Sequence, residues 1–93
     1  MIVEFKDKRD RLIFEGNSDR RFQPKLCKKI TDKLRQIDAA VVLDDLKFPP
    51  SNRIHALGRD REGQHSISVN DAIRICFQWN GGKVIIEFIG DYH

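Results

Sequence analysis

The sequence predicts an α+β fold, with two or three helices in the first half flanking a small antiparallel sheet built mostly by the second. Up to Asn52 the clearest apolar pattern recurs at helical steps, and beyond it apolar and polar residues alternate in short runs. These runs are joined by Asn70-Asp71 and Asn80-Gly81-Gly82, connections so tight that consecutive strands must lie side by side and antiparallel. Helices followed by strands, rather than interleaved with them, is the α+β arrangement.

The elements follow in order. Ile2 to Phe5 alternates as a short strand. Lys8 to Phe14 reads as a short helix ended by Gly16, a residue common just past a helix C-terminus. Asn17-Ser18-Asp19 is a loop. The strongest helix runs from Pro24 to Ile37, where Leu26, Ile30, Leu34 and Ile37 form one apolar stripe with the lysines opposite. Pro24 suits the first turn, although Gln23 is a poor cap. Val41 to Leu46 reads as a further short helix, stopped by Phe48-Pro49-Pro50-Ser51-Asn52. Arg53 to Leu57, His65 to Val69, Ala72 to Trp79 and Lys83 to Ile89 are the four later strands.

A chain of 93 residues has room for one small core, so a single domain over 1–93 is expected. Hydrophobic residues at 40% and charged residues at 33% are globular rather than disordered proportions. No apolar run approaches the ~18–20 residues that a membrane span needs. The opening Met1-Ile-Val-Glu-Phe-Lys-Asp-Lys lacks the apolar stretch of a signal peptide. Cys27 and Cys76 are too few for a disulfide framework and are not spaced for a metal, so they read as buried thiols in a reducing compartment. A cytoplasmic protein, with no membrane partner, is the expectation. The net charge of +3 is modest, but Lys25, Lys28, Lys29, Lys33 and Arg35 face only Asp32 within the main helix segment. Such a basic face suits nucleic acid or an acidic protein, and equally a helix side that is merely solvated.

Four places offer chemistry. On the strand from Ala72 to Trp79, the residues Ile73, Ile75, Phe77 and Trp79 share a core face, which leaves Arg74 on the other face with Ala72, Cys76 and Gln78. Pattern alone leaves Arg74 open to two readings: a partner for a carboxylate, or a planar fork of donors for a phosphate. Asp91, Tyr92 and His93 continue an apolar strand that would hold them at the sheet edge, and histidine is the residue type best suited to moving protons near neutrality. The segment from Leu57 to Gln64 carries Arg59 and Arg61, either solvated or contacting phosphate. His55 and His65 flank it without a partner at metal-ligand spacing, so no metal or cofactor is expected. Ser66 and Ser68 look like solvent-face residues.

Taken together, these stretches resemble a known family. The run from Pro50 through Leu57 and on to Asp71, then Arg74-Ile75-Cys76-Phe77-Gln78-Trp79 and the closing Asp91-Tyr92-His93, is similar to the HigB-type plasmid maintenance killer toxins of the RelE-like superfamily. The likeness extends to Phe5-Lys6 and to Leu34, Ile37, Asp38, Ala39 and Ala40, and so covers nearly the whole chain. It implies the RelE-like fold, a small antiparallel sheet with two or three helices. It implies an endoribonuclease that cleaves mRNA in the decoding site of the 70S ribosome, and a helix-turn-helix antitoxin of the HigA type as partner. It implies Arg74 as the phosphate-binding arginine, with Asp91, Tyr92, His93 and His55 at the catalytic site. Arg53, Arg59, Arg61, Lys25, Lys28 and Lys29 are the candidate RNA-binding cations.

Three departures accompany the likeness. Members often carry Lys-Gly where this chain has Gly58-Arg59, a tryptophan in place of Ile73, and an arginine in place of Ser68. A catalytically weak or inactive toxin-like module, binding an antitoxin or RNA, is therefore the alternative.

Overall fold

The computed structural model describes residues 1–91, with Arg59 described by its backbone alone. Strand β1 (Ile2–Phe5) leads into helix α1 (Lys8–Phe14) and then α2 (Pro24–Ala39). Two short 3-10 turns, Leu43–Lys47 and Pro50–Asn52, precede β2 (His55–Ala56), β3 (Gln64–Ser68), β4 (Ile73–Asn80) and β5 (Lys83–Asp91). The sheet order is β1-β5-β4-β3-β2. The expected α+β class holds, and β2 to β5 form the expected antiparallel meander. The sheet also gains β1, which pairs with β5 in parallel, Ile2 opposite Val84.

The helices form where expected, for identifiable reasons. Asp7 caps α1 by accepting the Arg9 amide at 2.9 Å, and Gly16 ends it with φ 99°, a conformation that favours glycine. In α2, Ile30, Leu34 and Ile37 are fully buried. They meet Ile13 of α1 and the sheet residues Ile67, Ile75, Phe77, Val84 and Ile86 in one core. Burying each of these side chains contributes about 1.5–3 kcal/mol.

Three expectations need correction. Val41 to Leu46 is not an α-helix: a 3-10 turn over Leu43–Lys47 takes its place, its start fastened by Asp45, which accepts the Val41 and Val42 amides. The strand from Arg53 to Leu57 shrinks to two residues, because Arg53 adopts φ 46° at the end of the Pro50–Asn52 turn. Lys33 does not join the basic face of α2. It is buried, and its ammonium donates to Asn52 Oδ1 at 2.5 Å. Asn52 is itself fully buried and donates through Nδ2 to Gln36 Oε1, Leu46 O and Phe48 O, tying the 3-10 segment to α2.

The β4–β5 ladder carries a bulge. Phe77 pairs with Ile86 and Cys76 with Phe88, so Glu87 is the extra residue. The bulge lets Val84, Ile86 and Ile89 all reach the core, and it turns Phe88 to the opposite face, where it is 42% exposed.

Candidate active site

The hairpin between β3 and β4 sets the geometry of the site. Asn70 Oδ1 accepts the amides of Ala72 (2.8 Å) and Ile73 (2.7 Å), closing the turn that the sequence marked at Asn70-Asp71. The resulting register pairs Ser68 with Arg74 and Ser66 with Cys76. Paired residues of an antiparallel ladder share a face, so Arg74, Cys76, Ser66 and Ser68 all lie on the side of the sheet away from the helices.

Arg74 is held by neutral acceptors. Its Nε donates to Ser66 Oγ at 3.0 Å, and its Nη2 donates to Arg53 O at 2.9 Å and approaches His55 Nδ1 at 3.2 Å. Arg53 O is available because the left-handed turn at Arg53 carries it there. A guanidinium has no acceptor, so His55 Nδ1 must offer its lone pair, which places the proton of a neutral ring on Nε2. That nitrogen faces Ser66 Oγ at 3.5 Å. Among the described residues Arg74 has no carboxylate partner, and its Nη1 makes no hydrogen bond. Burial lowers its pKa from the ordinary arginine value, but a group that starts so high stays charged near neutrality. Of the two readings left open by the pattern, the described residues supply no carboxylate partner.

Beneath this cluster, burial pushes the Cys76 thiol up, against the opposing pull of Arg61 and Arg74. Cys76 is fully buried and Cys27 nearly so, and both are free thiols. Ser66 and Ser68 correct the solvent-face reading. Ser66 is fully buried under the guanidinium, and Ser68 is buried and donates to Asn70 O at 2.7 Å. Alternation alone could not reveal this, because a small hydroxyl reads the same on a wet face as under an arginine.

Of the predicted residues, the structure brings together Arg74, His55 and, through its carbonyl, Arg53. The Arg53 side chain itself is exposed, 3.8 Å from Asp71. Arg61 borders a cleft of about 300 Å³ with Gln64, Glu87 and Phe88 on the same side of the sheet. Asp91 is exposed at the end of β5, one residue beyond the Arg74–Gly90 pair. Tyr92, His93 and the Arg59 side chain lie outside the described residues. Lys25, Lys28 and Lys29 are exposed on α2, which packs on the opposite face of the sheet, so they are in a different layer from Arg74. His65 is half-buried against Phe77, with ring centroids 6.1 Å apart, and burial lowers its pKa.

Residues 3–93 match the family described as the RelE-like toxin of the type II toxin-antitoxin system HigB. Toxin HigB-1 of Vibrio cholerae is 34% identical over 90 residues, which span 96% of this chain and 95% of that one. Endoribonuclease HigB of Proteus vulgaris is 36% identical over 93 residues, the full length of both. The fold is similar to the YoeB–YefM complex from Staphylococcus aureus, with a TM-score of 0.65 at 21% identity over 100% of this chain and 95% of that one. It is also similar to YafQ from Escherichia coli, with a TM-score of 0.61 at 16% identity over 98% and 91%.

Proposed function

The chain belongs to the RelE-like HigB toxins of type II toxin–antitoxin systems, and from that premise we propose that it inhibits translation by cleaving mRNA held in the decoding site of a translating 70S ribosome. It is an endoribonuclease toxin with an antitoxin partner, and we assign that partner the helix-turn-helix character of the HigA type. Among the described residues no helix is long and apolar enough to cross a membrane, and the proposed place of action is the cytoplasm.

The observation that carries the reading is Arg74, a fixed guanidinium on the sheet face that pairs with no carboxylate among the described residues. In the proposed reaction the ribose 2′-oxygen attacks the adjacent phosphorus while a base removes its proton. Negative charge builds on the pentacoordinate phosphorane, and Arg74 stabilises it. An acid then protonates the departing 5′-oxygen, leaving a cyclic phosphate and a free 5′-hydroxyl. His93 is assigned as base or acid, with Tyr92 positioning it or stacking on the RNA and Asp91 fixing geometry. His55, neutral when its Nδ1 accepts from Arg74, orients the guanidinium. Arg59 or Arg61 adds positive charge, and Lys25, Lys28 and Lys29 add affinity from the other layer. The decisive experiment induces the protein and maps new mRNA 5′ ends with and without translation. New ends that require translation support the proposal.

One observation favours the alternative of a weak or inactive binding module. Buried Ser68, which pairs with Arg74 across the ladder and bonds Asn70 O, brings no cation there, where the family resemblance implies an arginine. An absence of new 5′ ends in both settings, with antitoxin binding intact, would select that reading.

A further inference from the structure

Phe88 is out of place for an apolar residue in the most apolar strand. Strict alternation from Val84 and Ile86 would put it in the core, but the bulge at Glu87 sends it to the face of Arg74. There it is 42% exposed. Bulges of this kind commonly re-aim a side chain beside an active site. Gly90 accommodates the ring: a Cβ at that position would come within 2.7 Å of Phe88 Cζ. A glycine inside a strand weakens it, and here it clears space for a neighbouring ring. Gly90 is also the partner of Arg74 across the ladder. Phe88 is therefore the diagonal neighbour of Arg74 across the ladder, with backbones ~7–8 Å apart, and its ring leans over the glycine opposite the arginine.

Beside the ring is the cleft of about 300 Å³ bordered by Arg61, Gln64 and Glu87. Gln78 donates to Glu87 Oε2 and fixes the carboxylate in place. An ionised carboxylate only accepts hydrogen bonds. It suits a base edge bearing an exocyclic amine, as in adenine, cytosine or guanine. Uracil instead flanks its single N–H with two carbonyls that repel it.

We propose that Phe88, seated on Gly90, stacks one nucleobase of the RNA and that Glu87 selects a base carrying an exocyclic amine. The inference rests on the endoribonuclease reading and adds to it a base-specific subsite next to the phosphate held by Arg74. Ring faces of this kind bind single-stranded bases without needing sequence, and edge groups then supply preference.

The test measures binding of fluorescent six-nucleotide RNAs, 2′-O-methylated against cleavage, made of adenosine, cytidine, uridine or abasic ribose-phosphate. Wild type should bind the adenosine and cytidine strands more tightly than uridine, and all of them more tightly than abasic. Phe88→Ala should weaken the base-bearing strands by about tenfold to hundredfold and leave the abasic strand unchanged. Phe88→Tyr should retain binding, Gly90→Ala should mimic Phe88→Ala by displacing the ring, and Glu87→Gln should narrow the gap between cytidine and uridine. Abasic and base-bearing strands bound equally by wild type, or affinities unmoved in Phe88→Ala, would overturn the stacking assignment. Equal affinity for uridine and cytidine in wild type would overturn the role of Glu87. Cleavage mapping is scored separately. Base-dependent binding without cleavage would sink the endoribonuclease reading alone, and cleavage with Phe88→Ala affinities unchanged would sink the subsite alone.

Discussion

Among the described residues, each bond that holds Arg74 ends on a neutral atom: a serine hydroxyl, a backbone carbonyl and an imidazole nitrogen. Such an arrangement fixes direction without cancelling the field, which is what a phosphorane requires. Arg74→Ala should therefore lower cleavage by ~10²–10³ while circular dichroism and the melting curve stay near wild type. Arg74→Lys should recover only part, since an ammonium cannot present a planar fork. A large drop in melting temperature in Arg74→Ala would instead mark the arginine as structural. Ser66→Ala should cost on the order of tenfold in activity, because the Arg74 Nε loses its acceptor. Deleting His93 should cut cleavage by the ~10²–10⁴ usual for a general acid or base. At this scale the sequence disclosed Arg74 and its face through alternation, and His55 through family likeness. It hid Ser66 and Phe88, because a hydroxyl's burial and a bulge's position both depend on pairing across strands.

The α2 helix shows how far periodicity reaches. The apolar stripe and Pro24 located it, yet Lys33 was read as part of a basic face and is buried instead against Asn52. Nothing local in the sequence signals that a residue 19 positions on will supply an acceptor. Asn52→Ala should destabilise the fold by about 2–4 kcal/mol, measured by denaturant titration, because it strips Lys33 of its partner and frees two carbonyls. The remaining lysines predict differently. Changing Lys25, Lys28 and Lys29 to glutamine should weaken ribosome binding and flatten its salt dependence without altering the cleavage step. An unchanged salt slope would show that this face serves the antitoxin or the solvent. In β3, His65 is half-buried beside Phe77 with its pKa lowered from 6.5, so the folded state binds fewer protons than the unfolded one. Its contribution is present above pH 6.5 and is lost as pH falls toward the folded value. Melting curves from pH 7.5 down to 5 should show wild type losing stability faster than His65→Phe, which keeps the ring contact but does not titrate.

Across the whole molecule the sheet divides two surfaces, the lysine face of α2 on one side and the Arg74 face on the other. A short RNA cannot occupy both at once. The ribosome dependence proposed above fits this division, since a large particle can contact one face while presenting mRNA to the other and supplying the alignment a small enzyme lacks. Purified protein should cut translated mRNA and leave naked mRNA intact; efficient cutting of naked RNA at the same positions would remove the ribosome from the mechanism. The α+β class was legible because the change of period at Asn52 is abrupt, whereas the parallel pairing of β1 with β5 was not, since no local pattern specifies a partner 82 residues away. That pairing bears on the protein's synthesis. Ile2 and Phe5 are made well before Val84 and Ile86, their partners in the ladder. Until β5 has been made, a nascent chain lacks the strand that joins β1 to β4, and with it the Gly90 neighbour of Arg74. The sheet closes only once that strand has emerged, so the face that carries Arg74 is completed only after β5 has been made.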